Sequence, residues 1–194
     1  MKLSRLFLKD DYVGEKNYIK TQTKYEIART ILYFGISLSL FIAGWITTGE
    51  RTNLLTIVVI LGCLPASKSM VDMIMFLRFK GCSQASVQTI KAHTEGLCGL
   101  YDMVFTSYDR NYNIAHITVK GNTICGFTED AKFAEQEFYK HITDILKVDH
   151  FKETSVKIFS DVNKYTERLE QLKDLDTDMK NTEGILNTLK SVSL

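Results

Sequence analysis

Two charged residues inside an apolar stretch are the first candidates for chemistry. Lys68 and Asp72 are spaced i, i+4, so on a helix they share a face and can pair. A charge within a membrane span is by default a functional candidate. Counted from Asn53, about fifteen residues place Lys68 roughly 22 Å along a helix, in its inner third, where its stem can reach the interface. Interface anchoring is the expected role, ahead of a polar contact between protomers; ion conduction comes last, because two spans with one weak charge pair supply no filter. The same stretch holds Gly62-Cys63-Leu64-Pro65-Ala66-Ser67-Lys68-Ser69, a phosphate-cradling loop at every position but the second glycine, where Ser67 stands. Pro65 removes an amide, and no apolar strand ending in an acid follows to hold magnesium. A membrane span accounts better for the apolar residues on either side.

Other reactive side chains are dispersed. Cys63, Cys82, Cys98 and Cys125 show neither CxxC nor Cys/His ligand spacing, which indicates free thiols rather than a disulfide framework or a zinc site. His93, His116, His141 and His150 fall on different elements. His116, flanked by Ile114 and Thr118, is expected at a surface or half-buried position. His141 and Asp144 share a helix face as a solvated pair. No Ser or Cys stands in a nucleophile-elbow context, and no cofactor signature is present.

The elements that carry these residues begin with two long apolar runs, Thr30 to Thr48 and Asn53 to Phe79, separated by Gly49-Glu50-Arg51-Thr52. About 20 apolar residues cross a bilayer core, so each run predicts a transmembrane helix and the short loop predicts a hairpin. Pro65 predicts a kink in the second. Lys2, Arg5, Lys9, Lys16, Lys20 and Lys24 precede the first run, Arg29 stands at its edge, and Arg78 and Lys80 close the second. The tip has only Arg51, beside Glu50. That asymmetry predicts both termini in the cytosol. The first run starts too late for a cleaved signal peptide and is expected to remain as an anchor. Gly35, Ser39 and Ala43 form a small-xxx-small stripe that lets helices approach closely. Met1 to Lys9 could lie on the membrane surface as a short amphipathic segment.

Residues 81–194 read as a cytosolic α+β domain. A polar helix spans Ser83 to Thr94; strands follow at Tyr101–Thr106, Asn113–Lys120 and Thr123–Phe127, with Gly121-Asn122 as a two-residue hairpin turn. Thr128 is expected to cap a helix whose first turn holds Glu129 and Asp130, with Ala131, Ala134, Phe138, Ile142, Ile145 and Leu146 inward. Ser155–Phe159 is a fourth strand. From Asp161 a helical Leu/Met stripe runs through Leu169, Leu172, Leu175, Met179, Leu186 and Leu189, interrupted at the acidic patch Asp174 to Asp178, and is available to its own domain or to a second chain. The order α-β-β-β-α-β-α predicts helices over a small mixed sheet. The organisation is a basic cytosolic segment 1–27, a transmembrane hairpin 28–80 and the domain 81–194.

The net charge of +1 divides unevenly: residues 1–80 hold eleven Lys or Arg against six acids, and residues 81–194 hold thirteen against seventeen. An acidic domain without a basic stripe is a poor nucleic-acid binder. The order α-β-β-β-α-β is similar to the general core of restriction-type nucleases, a fold-level likeness that implies two acids and a lysine holding magnesium. Asp109, Glu129, Asp130 and Lys132 are the residues that likeness would recruit, although capping explains Glu129 and Asp130 without chemistry. The expected function is a membrane-anchored domain that binds or scaffolds other protein, within an oligomer or membrane complex, rather than an enzyme. The alternatives are a membrane-tethered magnesium-dependent nuclease-like hydrolase and an oligomeric pore or membrane effector gated by the soluble domain.

Overall fold

The computed structural model describes residues 12–50, 54–151, 153–175 and 179–194. The segment at Met1 to Lys9, the tip from Arg51 and the centre of the acidic patch, all singled out above, lie outside the described residues. The chain divides into two compact units, one built on Ile19–Phe79 and one on Lys80–Leu194 with Asp10–Tyr18.

The first unit is a pair of helices, α1 (Tyr18–Thr48) and α2 (Leu54–Arg78), about 46 and 37 Å long at 1.5 Å per residue. Helix α1 begins about three turns before the apolar run, so residues 18–27 of the expected basic segment are helical. Helix α2 continues through Pro65. Both are long and apolar enough to cross a membrane. Only 17% and 11% of their most apolar windows are buried, whereas the core helix of a globular domain is mostly covered. The two run antiparallel. The Thr23 hydroxyl donates to the Phe76 carbonyl at 3.5 Å, Thr30 and Ser69 share a hydrogen bond of 2.9 Å, and a Cβ on Gly62 would lie 3.3 Å from the Ser37 hydroxyl. On α1 the buried small residues are Thr30, Ser37 and Gly44, seven apart; on α2 they are Ala66 and Ser69, with Phe76 below. A seven-residue repeat is the seam of helices that wind about each other, and small side chains let the backbones approach.

The second unit is a four-stranded mixed sheet with helices on both faces. Helix α3 (Gln84–His93) leads into β1 (Cys98–Thr106), β2 (Asn111–Lys120) and β3 (Thr123–Phe127), an antiparallel meander. Gly121, at φ +58°, makes the tight β2–β3 turn that the Gly-Asn pair predicts. Helix α4 (Glu135–Val148) crosses over to β4 (Ser155–Phe159), which lies parallel to β3 at the end of the order β1-β2-β3-β4. Then come α5 (Val162–Lys173) and α6 (Met179–Ser191). One face packs Val87 and Ile90 of α3 and Tyr165, Leu169 and Leu172 of α5 on Tyr101, Cys125 and Phe127. On the other, Phe138 of α4 meets Phe105 and Tyr112 at ring distances of 5.5 and 5.3 Å, and the Thr188 hydroxyl of α6 donates to Asp149 at 2.7 Å.

One expectation is corrected. The helix after β3 starts at Glu135, not at Thr128: the Thr128 hydroxyl donates to the Asn113 carbonyl at 2.7 Å and accepts from the Asp130 amide at 3.1 Å, and Asp130 accepts from the Lys132 amide at 2.9 Å. These local bonds close turns that compete with helix. Of the C-terminal stripe, left open between its own domain and a second chain, Leu169, Leu172 and Leu189 are fully buried in the domain and Leu186 is half-buried, while Leu175 and Met179 stay exposed.

Candidate functional site

Within the helix pair, the built polar feature is centred on Arg29. Its guanidinium holds Glu26 one turn back, reaches Asp72 of α2 at 3.1 Å and donates through Nε to the Ser69 hydroxyl at 3.2 Å. The Gln22 amide donates to Glu26 at 3.0 Å. Gln22 and Glu26 are fully buried, as is nearly all of Ser69. A planar fork that engages two carboxylates on different helices sets the register of the pair. Asp72 is therefore partnered by Arg29, not by Lys68: Lys68 is exposed and makes no ion pair among the described residues. The helical i, i+4 geometry is present, but a charged neighbour on the facing helix offered Asp72 a better-shielded partner. Gly35, Ser39 and Ala43 are exposed on α1, and a Cβ on Gly35 would meet nothing within 4 Å. They do not pack α2, which meets the Thr30, Ser37 and Gly44 row instead.

The four residues recruited for magnesium are engaged separately. The Glu129 carboxylate accepts from the Ser83 amide at 3.3 Å and from the Ser86 hydroxyl at 2.6 Å, completing the N-terminus of α3 begun by the Ser83 cap. Asp130 closes its own turn on Lys132. Asp109 stands in the β1–β2 turn and lines a shallow surface cleft with Tyr112, Glu137, Lys140, His141 and Asp144. Lys120 donates to the Lys173 carbonyl at 2.7 Å and so caps the C-terminal end of α5. Among the described residues no three of His, Cys, Asp or Glu are placed to hold one metal ion.

His116 is not half exposed as expected but buried. Its Nδ1 lies 2.7 Å from the Tyr165 hydroxyl, which Thr118 also meets at 3.1 Å, and Tyr101 packs on its ring at 4.3 Å. Burial, with a smaller push from the Lys16 charge, lowers its pKa from 6.5 to about 3, so it is a neutral core group at physiological pH. Burial, with Glu129 and Asp102 near by, pushes the Cys82 thiol up to about 12, which leaves it protonated and a poor nucleophile. Asp102 has left-handed backbone, φ +54°, and sits between the ladder pairs Tyr101–His116 and Met103–Ile114; its carboxylate accepts from the Cys82 amide at 2.7 Å. Gly81 rests on that carboxylate so closely that a Cβ would lie 2.9 Å from it.

The two edges of the sheet differ. Along β1 the Tyr101 amide donates to the Gly14 carbonyl at 2.8 Å, Phe105 bridges to Ser193, and the Leu194 amide donates to the Val104 carbonyl at 2.9 Å. That edge is covered. At the β4 edge the Ser155 amide donates to Asn122 and the Phe159 carbonyl accepts from Thr128, both at 2.9 Å, so Ser155, Lys157 and Phe159 face β3. The alternation of the ladder turns the N–H and C=O groups of Val156 and Ile158 outward, where no described residue takes them. Beside them is a surface cleft lined by Val156, Ile158, Glu135, Gln136 and Tyr139. The period-two pattern of Ser155–Phe159 located the strand, but only the order of strands in the sheet shows that it is an edge.

No protein family, curated protein or solved structure matches this chain.

Proposed function

We propose that the chain is a membrane-anchored protein-binding domain: α1 and α2 form a transmembrane hairpin, both termini are cytosolic, and the α+β unit recruits a protein partner. The observation that carries the reading is the unequal treatment of the sheet edges, one sealed by chain from both ends of the sequence and the other left with four outward backbone groups beside a cleft. Native sheets normally shorten, cover or charge such an edge because it templates pairing with another chain; β4 is short and carries Lys157, but no described residue covers it. The way these charged residues are deployed supports binding over hydrolysis, since Glu129, Asp130 and Lys120 each complete a helix end or a turn. The Arg29 network supports the hairpin, since it holds the helices together through polar bonds while leaving their apolar flanks outward.

The test is photo-cross-linking in native membranes, with a photoreactive residue placed in turn at Tyr139, beside the β4 edge, and at the fully exposed Tyr108. The expected result is a discrete protein adduct from Tyr139 whose yield falls severalfold when Val156→Pro blocks the edge. Silence at both positions overturns the reading. Magnesium-dependent cleavage of nucleic acid, abolished by Glu129→Gln, would replace it with the hydrolase.

A further inference from the structure

We infer that the β4 edge takes an extended peptide in which acidic residues alternate with apolar ones, added to the sheet as a fifth strand. This rests on the protein-binding reading above and names the chemistry of the partner. The backbone supplies the first part of the case: Val156 and Ile158 present two N–H and two C=O groups, enough for two ladder pairs with an incoming strand. Side chains on a strand alternate between faces, so an added strand meets two different environments.

On the α4 side its residues meet Val156, Ile158 and the half-exposed Tyr139 together with Glu135 and Gln136, a lining that accepts apolar side chains and disfavours acidic ones. On the α5 side they meet Lys157, exposed on the strand itself, and Arg168, whose charge acts on the Cys125 thiol together with that of Lys157. Cys125 is the ladder partner of Lys157, so the two cations flank the same stretch of edge. Neither pairs with a carboxylate among the described residues: Lys157 lies over the Phe159 ring at 5.3 Å, and Arg168 donates to the Gln171 amide oxygen at 2.8 Å. A carboxylate on the incoming strand opposite Lys157 completes the charge set. A second copy of this chain fits less well. The two-fold antiparallel register that engages all four outward groups sets Val156 against Ile158 and Lys157 against its own copy, and like charges directly opposite are destabilising.

The experiment uses the full-length protein in detergent micelles and two blocked hexapeptides, one alternating glutamate with valine and one alternating lysine with valine. Hydrogen exchange at the Val156 and Ile158 amides and fluorescence anisotropy of labelled peptide are the readouts. The glutamate peptide is expected to slow exchange at both amides at least tenfold, and Lys157→Glu is expected to weaken it at least tenfold while strengthening the lysine peptide. Val156→Pro, which removes an outward N–H and no bond to β3, is expected to abolish binding with the circular dichroism unchanged. Unchanged exchange at saturating peptide, or equal binding of both peptides, overturns the inference. So does oligomerisation through β4, seen as protection of the same amides that grows with protein concentration and is lost in Val156→Pro. If these peptides fail while the Tyr139 cross-link persists, the partner has other chemistry and the binding function stands; if both fail, so does the function.

Discussion

Arg29 and His116 show two ways in which one side chain binds facing elements together. Arg29 neutralises a fully buried Glu26, so removing it leaves an uncompensated buried charge, whereas removing both leaves only the part-exposed Asp72 without its partner. Arg29→Ala is expected to destabilise the helix pair by about 3–5 kcal/mol, and Glu26→Gln combined with Arg29→Met to recover much of it. Unfolding by SDS titration in mixed micelles measures both; a double variant no better than the single would mean that packing rather than charge is lost. His116 acts through protonation. Its pKa falls from 6.5 to about 3 on folding, so the unfolded chain binds a proton that the folded chain refuses. Its contribution is complete above about pH 6.5 and is lost as pH falls toward 3, at a slope of about 1.4 kcal/mol per pH unit. His116→Gln is expected to flatten the stability profile between pH 6 and 4 as followed by urea denaturation. Gly99→Ala is expected to destabilise as well, because its Cβ would lie 2.6 Å from His116 Nε2. The burial of His116 was not legible in the sequence: its ring is covered by Tyr165 of α5, from a distant part of the chain.

At the scale of elements, strands were read more faithfully than helix starts. The Gly121-Asn122 turn and the alternation on either side locate β2 and β3, because turn geometry and period two are local properties. The start of α4 was misread for an equally local reason: a Thr-Glu-Asp run suits a helix N-terminus and a closed turn alike, and here Phe133 is drawn onto Tyr112 and Phe138 instead. In the apolar helices, the sequence offers a four-residue stripe at Gly35, Ser39 and Ala43, while the seven-residue row at Thr30, Ser37 and Gly44 makes the contact. The two rows give opposite expectations. Gly62→Leu drives a branched side chain at the Ser37 hydroxyl and is expected to separate the helices, lowering disulfide formation between cysteines placed at Thr30 and Ser69. Gly35→Leu faces open space and is expected to leave that cross-link unchanged. A reversed pair of results would place α2 on the other face of α1.

For the whole molecule, the reading depends on which way the hairpin enters the membrane. Basic residues gather at the ends of α1 and α2 away from the tip: Lys16, Lys20, Lys24 and Arg29 on one side, Arg78 and Lys80 on the other. The Arg29, Glu26 and Asp72 network lies at that same end of the pair. Measured from Thr48, Arg29 is about 28 Å along α1, and Asp72 is about 27 Å from Leu54 along α2, at the limit of a hydrocarbon core roughly 30 Å thick. In the proposed transmembrane hairpin the network would fall where water and headgroups begin, at a smaller cost of desolvation than at mid-membrane. The positive charges beside it favour the cytosolic face. With the proposed orientation the β4 edge and its cleft would face the cytosol, on the side of the proposed partner. In a cysteine-free background, Glu50→Cys is expected to react with an impermeant maleimide in intact cells, and Tyr108→Cys, at the exposed β1–β2 turn, only after permeabilisation. The reverse labelling would turn the domain outward and move any search for its partner outside the cell; labelling of both in intact cells would mean that α1 and α2 do not span the membrane.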